Sequence, residues 1–209
     1  MPGTIKNVSV LMVCLGRSPM AEAVLNHQIA QRPSLKERFN FTVDSAGTGA
    51  YHEGDEADER TIETCKKHAV PISCRARPIR SSDYDKFDYI LAMDNSNLQT
   101  LLYKKPATSK AHISLFGAYD PALHLPAPAQ SNGHGHHSHA HHHTRARPKA
   151  QPIVDPYYDG VSGFEQAYWQ CAKYASGFLD YLEGGEQAHS VGGEQTEEAS
   201  KKVLEAMGA

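Results

Sequence analysis

Val8-Ser9-Val10-Leu11-Met12-Val13-Cys14-Leu15-Gly16-Arg17-Ser18-Pro19 decides how this chain is read. It opens as an apolar run of strand length, Val8–Val13, turns at Cys14-Leu15-Gly16 and restarts as a helix. Ser18 suits the N-cap and Pro19 the first helical position. A strand, a tight turn carrying a thiol and an arginine, and a helix N-terminus together predict an anion site. The unsatisfied N–H groups and the helix macrodipole both favour negative charge there. The same field favours thiolate at Cys14. This stretch alone is equally compatible with a core strand that carries a buried cysteine, with the arginine merely closing the turn.

Downstream, strands and helices alternate. The first helix runs from Ser18 to about Gln31, with Ala21, Val24, Leu25 and Ile29 on an inner face. Phe39–Val43 reads as strand two, and Asp44–Gly49 as a polar, glycine-rich loop. A second helix covers about Asp58–His68, and Pro71–Arg77 is extended. Asp88–Met93 is strand three, a third helix follows from Asp94 to about Tyr103, and His112–Phe116 is strand four. This alternation predicts an α/β fold built from βαβ units on a parallel sheet. Ligands bind such sheets at the carboxyl ends of the strands, and Cys14, Ser45 and Asp94 all fall just past predicted strand ends.

Length and composition bound the rest. With 209 residues, one domain with appendages is expected, and a net charge of −3 gives no global signal for nucleic acid or a membrane surface. The four cysteines, Cys14, Cys65, Cys74 and Cys171, form no CxxC pair, which argues against structural zinc and against a disulfide scaffold. The Val8–Val13 run is too short for a membrane span and lacks a cleavable leader's flanks, so a cytoplasmic location is expected.

The domain is read as residues 1–183, interrupted at 122–152 by a disordered insert rich in Pro, Ala, Gly, Ser and His. Within the insert, His134–His143 predicts only adventitious transition-metal binding, because spacing this loose fixes no geometry. A last helix spans about Gly163–Leu182, its stripe of Phe164, Ala167, Tyr168, Cys171, Tyr174, Ala175 and Phe178 reading as core. The tail, 184–209, is polar, with a short helix near Glu194–Met207.

Cys14, Arg17 and Asp155 make a chemical set. A thiolate can attack phosphorus, a guanidinium fork can hold two phosphoryl oxygens, and a carboxylic acid can protonate a leaving phenolate. Tyr157 and Tyr158, beside the acid, can stack against an aromatic leaving group. With these pieces in place, the chain resembles the low-molecular-weight protein tyrosine phosphatases. The resemblance rests on Val-Leu-Met-Val-Cys-Leu-Gly, Arg-Ser-Pro-Met-Ala-Glu-Ala-Val, Val-Asp-Ser-Ala-Gly-Thr, Asp-Tyr-Ile-Leu-Ala-Met-Asp-Asn-Ser-Asn-Leu and Asp-Pro-Tyr-Tyr, in this order.

The resemblance implies a four-stranded parallel sheet flanked by helices on both faces. It implies phosphotyrosine-containing proteins as partners, with no nucleic acid, no membrane and neither a metal nor an organic cofactor. By family role, Cys14 is the nucleophile, Arg17 the phosphate binder, Ser18 a thiolate stabiliser and Asp155 the general acid. Leu15 and Gly16 belong to the phosphate loop, Tyr51, Tyr157 and Tyr158 wall the cleft, and Ser45 and Asp94 support the site.

One departure is large. The family loop holds five residues between cysteine and arginine, whereas here only Leu15 and Gly16 intervene. The missing residues usually include an asparagine, and Cys74 stands where the family commonly has the histidine that supports it. Encircling a phosphate with amides needs about 25 Å of contour. Six Cα steps supply roughly 23 Å, and three supply about 11 Å. Unwinding the first helical turn returns about three residues but brings in Pro19, which has no N–H. Three readings stay open here. One is an active phosphatase, with a rearranged loop or with three codons lost at a mis-drawn splice junction. The second is an impaired relative that binds phosphate or phosphoprotein. The third is a thiol-dependent arsenate reductase using Cys65 and Cys74.

Overall fold

The structure is a computed structural model that describes residues 4–14, 16–49, 53–124 and 149–184. Its centre is a sheet of four parallel strands: β1 (Lys6–Val13), β2 (Phe39–Ala46), β3 (Tyr89–Ala92) and β4 (His112–Leu115), in the order β2-β1-β3-β4. The order reverses between β1 and β3, so the crevice at their carboxyl ends is the switch point where such sheets bind ligands. Cys14 follows β1 directly, and Asp94 follows β3 by two residues.

The period of two along β1 sorts the core into two layers. Val8, Val10, Met12 and Cys14 face α1 (Ser18–Ala30) and α6 (Gly160–Gly184), with Cys65 of α3 (Glu59–Lys67) completing that layer. Leu11 and Val13 face the opposite layer, where Tyr84 of α4 (Asp83–Lys86) and Leu101 of α5 (Asn95–Lys104) pack with Ile90 and Ala92. Helices therefore cover both faces, as expected. A short α2 (Pro33–Arg38), absent from the sequence reading, buries Leu35 in the first layer.

Two boundaries differ from the expectation for a tertiary reason. β2 runs on through Asp44, Ser45 and Ala46, read as loop, because Leu11, Met12 and Val13 pair with them. Pairing with the interior strand β1 overrides the weak strand preference of Asp and Ser. α6 starts at Gly160 rather than Gly163. Gly163 lies against the preceding turn: a Cβ there would sit 2.8 Å from Asp159 Cβ and 3.1 Å from Pro156 Cα.

The ends of the 122–152 segment also pack. Pro121–Leu123 forms a 3-10 turn capped by Asp120, and Gln151 runs so close to Gly117 that a Cβ there would meet its carbonyl at 1.9 Å. His134–His143 and the tail beyond 184 lie outside the described residues. Among the described residues no helix is long and apolar enough to cross a membrane.

Candidate active site

β1 delivers Cys14 to the switch point, where its N–H donates to Ala46 O at 3.0 Å. The residue is 4 % exposed and belongs to the buried α1/α6 layer. The chain winds into α1 from Ser18, with Ala21 N–H already donating to Arg17 O at 3.2 Å. The first turn is not unwound, so the loop stays short.

Arg17, not Ser18, is the residue before the first helical position, and no side chain caps it. The Ser18 hydroxyl donates instead to Cys14 O at 2.9 Å and reaches Ala46 O at 3.5 Å. With two residues between Cys14 and Arg17, Ser18 stands four positions after Cys14, the spacing at which a hydroxyl bonds a carbonyl one turn back. It therefore clamps the backbone of Cys14 to the end of β2. The first-turn amides of Arg17, Ser18 and Met20 make no backbone hydrogen bond among the described residues, and Pro19 has none to offer.

The Arg17 side chain folds back beside the thiol. Nη1 donates to Ile153 O at 2.5 Å, and Nη2 pairs with Asp94 Oδ2. Burial opposes its charge, but the neighbouring Cys14 and the hydrogen-bonded Asp94 carboxylate outweigh it and hold the guanidinium above its ordinary value. Asp94 serves two elements, because its Oδ1 also caps α5 by accepting from Asn97 N–H at 2.8 Å. The sequence placed Asp94 correctly. The Ile153 carbonyl, 136 residues from Arg17, has no signature in the sequence.

Ile153 also brings the candidate acid. Its N–H donates to Met93 O at 2.8 Å. On α6, Gln170 fastens the same strand from the other side, accepting from Val154 N–H at 2.9 Å and donating to Pro152 O at 3.3 Å. Asp155, two residues past Ile153, is exposed and caps the 3-10 turn Pro156–Tyr158 by accepting from Tyr157 N–H at 3.2 Å. Tyr157 is 61 % exposed, with the Arg60 guanidinium 5.4 Å from its ring centroid. Leu15 and Tyr51 lie outside the described residues, as does the side chain of Tyr158; Gly16 is exposed.

Ser45 is 4 % exposed and donates to Glu22 Oε2 at 2.5 Å, which bolts α1 to the end of β2. Burial pushes the Glu22 carboxyl above its ordinary value against the Ser45 hydrogen bond. Sequence reasoning passed over Glu22. The available signal was a carboxylate among Ala21, Ala23, Val24 and Leu25, on a turn otherwise turned inward. Cys74 lies against Ser45 and Glu22, and burial first, then the Glu22 charge, push its thiol up to about 12. Burial pushes Cys65 up to about 11. Both shifts favour the protonated thiol, whereas a thiol relay of the arsenate-reductase kind uses the thiolate.

Residues 9–145 match the family model described as low molecular weight phosphotyrosine protein phosphatase. A relative of that name from Schizosaccharomyces pombe is 40% identical over 178 residues, spanning 83% of this chain and 96% of the relative. The chain belongs to the low molecular weight phosphotyrosine protein phosphatase family. The Homo sapiens member is 38% identical over 82% of this chain and 94% of its own length. Among solved structures, a protein tyrosine phosphatase from Entamoeba histolytica with Hepes in its active site superimposes with a TM-score of 0.67. It is 32% identical and covers 86% of this chain and 99% of its own. Family membership places this chain among hydrolases, and the fold agrees strand for strand with the one the sequence resemblance implied.

Proposed function

We propose that this chain hydrolyses phosphotyrosine in proteins, and small aryl phosphates, through a phosphocysteine intermediate. The observation that carries the reading is the joint anchorage of Arg17 beside Cys14 by Asp94 and by Ile153 O, two residues before Asp155. One contact thereby ties the phosphate binder to the strand that delivers the acid. The Cys14 thiolate attacks phosphorus, forming the S–P bond as the P–O bond to the aryl group breaks. Asp155 gives its proton to the departing phenolate oxygen. Water then attacks phosphorus, the S–P bond breaks, and the Asp155 carboxylate takes the water's proton. Arg17 and the amides of the first helical turn hold the equatorial oxygens as charge builds on them.

The short loop sets the rate. A single oxyanion-hole donor contributes about 10²–10³-fold, and three fewer residues remove up to three amides from the cradle. Turnover is therefore slow, and reinserting three residues between Gly16 and Arg17 raises kcat by at least about 10²-fold. A second reading, a relative that binds phosphate without turnover, draws on the fully wound α1 and on the two bonds that already hold Arg17.

Steady-state assays with p-nitrophenyl phosphate and a phosphotyrosyl peptide decide between them. Turnover by the chain as it stands, abolished by Cys14→Ser, supports the enzyme. Retained phosphate binding with no turnover, rescued by the reinserted residues, supports the binder.

A further inference from the structure

The opposite end of the sheet holds a second concave site, formed because β1 outruns its neighbour. β1 pairs with β2 along its whole length, Lys6 to Val13, but with β3 only from Val10 onward. Asp88, just before β3, fills the first vacant position: its N–H donates to Ser9 O at 3.0 Å, and its Oδ2 accepts from Ser9 N–H at 2.8 Å and Ser9 Oγ at 2.6 Å. Backbone groups of alternate residues point to the same edge of a strand. Asn7, two residues before Ser9, therefore turns its N–H and C=O to the edge where no β3 residue meets them.

The space left there is a cavity of about 240 Å³, lined by Lys6, Asp88, Tyr89, Lys110, His112 and Tyr181 as well as Asn7 and Val8. Its chemistry is specific. Lys6 and Lys110 are both exposed, and neither pairs with a carboxylate among the described residues. The Asp88 carboxylate, held by Ser9, offsets one of the two ammonium charges and leaves one in excess. Tyr89, His112 and Tyr181 supply the rings in its otherwise mostly polar lining, and they are fixed edge to face. Tyr89 meets Tyr181 at 6.5 Å and 87°, His112 at 5.8 Å and 66°, and the buried Phe178 at 5.2 Å and 80°.

We infer that this cavity, at the amino ends of β1, β3 and β4, binds a small aromatic carboxylate. The volume lies below that of drug-like pockets and suits one ring with one charged group. The tyrosine rings offer faces and edges to an arene. Lysines are point charges without the fork that reads a phosphate dianion, and the cavity offers one outward strand amide rather than a nest of them, so a carboxylate fits better. The site is independent of the phosphatase reading, since Cys14 and Arg17 stand at the other end of β1.

The test uses the full chain, ¹⁵N-labelled and titrated with 4-hydroxybenzoate, with benzyl alcohol as the neutral comparison. The expected result is saturable shifts at the amides of Asn7, Tyr89 and His112, with little change at Gly16–Met20. Lys6→Ala combined with Lys110→Ala weakens the affinity at least tenfold, and Cys14→Ser leaves it unchanged. Both lysines are exposed, so the double variant keeps its fold, which an unchanged melting temperature verifies; Lys110→Arg retains binding. Shifts centred on the Cys14 loop overturn the inference, as does equal binding of benzyl alcohol or affinity indifferent to the two lysines.

Discussion

The Arg17 side chain is the residue on which the site turns. One guanidinium contact reads the end of β3 through Asp94, another reads the incoming strand through Ile153, and the thiol lies beside it. Asp94 has two tasks that substitution separates. Asp94→Asn keeps an N-cap acceptor for Asn97 but removes the charge facing Arg17, whereas Asp94→Ala removes both. Both variants are expected to lose at least tenfold in kcat. Chemical denaturation is expected to show the alanine variant less stable than the asparagine variant by about 1 kcal/mol, the worth of the cap. Equal stability of the two would show that the capping bond contributes nothing. Gln170 acts at one remove, through the strand that ends at Asp155. In the proposed reaction, loosening that strand harms proton donation by Asp155 more than attack by sulfur. Gln170→Ala should therefore lower kcat for phenyl phosphate, a poor leaving group, more than for p-nitrophenyl phosphate, and a uniform loss on both would count against this role.

Between elements, the Glu22–Ser45 bond joins α1 to β2, and Ala46 then holds Cys14 and Ser18. Because burial raises Glu22 above its ordinary 4.5, the folded chain binds that proton more tightly than the unfolded chain does. Stability from this group is complete below 4.5 and is lost as pH rises through the raised value. Glu22→Gln removes the slope. Calorimetry should find the variant's melting temperature gaining on the parent's as pH rises from 4.5, then levelling; a pH-independent difference would contradict it. α6 is seated with equal closeness. A Cβ at Gly177 would meet Tyr119 O at 1.9 Å, backbone that cannot swing aside. Gly177→Ala is expected to cost about 2 kcal/mol, as overpacking does, and to lower the melting temperature by about 4–8 °C.

The elements legible in the sequence were those with a period of their own. β1, α1 and α6 carry apolar spacings that survive folding, and the polar run from Asp94 marks the start of α5. What was not legible was set by pairing across the chain: the strand character of Asp44–Ala46, the short α2, and the grip of Ile153 and Gln170 on the acid's approach. The Ser18 expectation failed by one position because capping rules assume a free entry angle, whereas the two-residue turn fixes Ser18 against Cys14 O.

At the scale of the molecule, the sheet separates two ends. Cys14, Arg17, Asp94 and the strand carrying Asp155 gather at the carboxyl end, and the lysine-rimmed cavity occupies the amino end. The histidine-rich segment stands outside this arrangement in the proposed chemistry, which uses no metal-bound group. Chelator is therefore expected to leave kcat/KM of the full chain unchanged, and a loss reversed by added zinc would give His134–His143 a role it is not assigned here. In the proposed reaction Cys14 receives the phosphoryl group although the loop is three residues shorter than the family's. The most direct measurement is acid quenching of the native chain during turnover of p-nitrophenyl phosphate, followed by intact and peptide mass analysis. A phosphoryl group on Cys14, absent in Cys14→Ser, is the predicted result; turnover with no phosphoryl group on Cys14, or with the label on another residue, would contradict it.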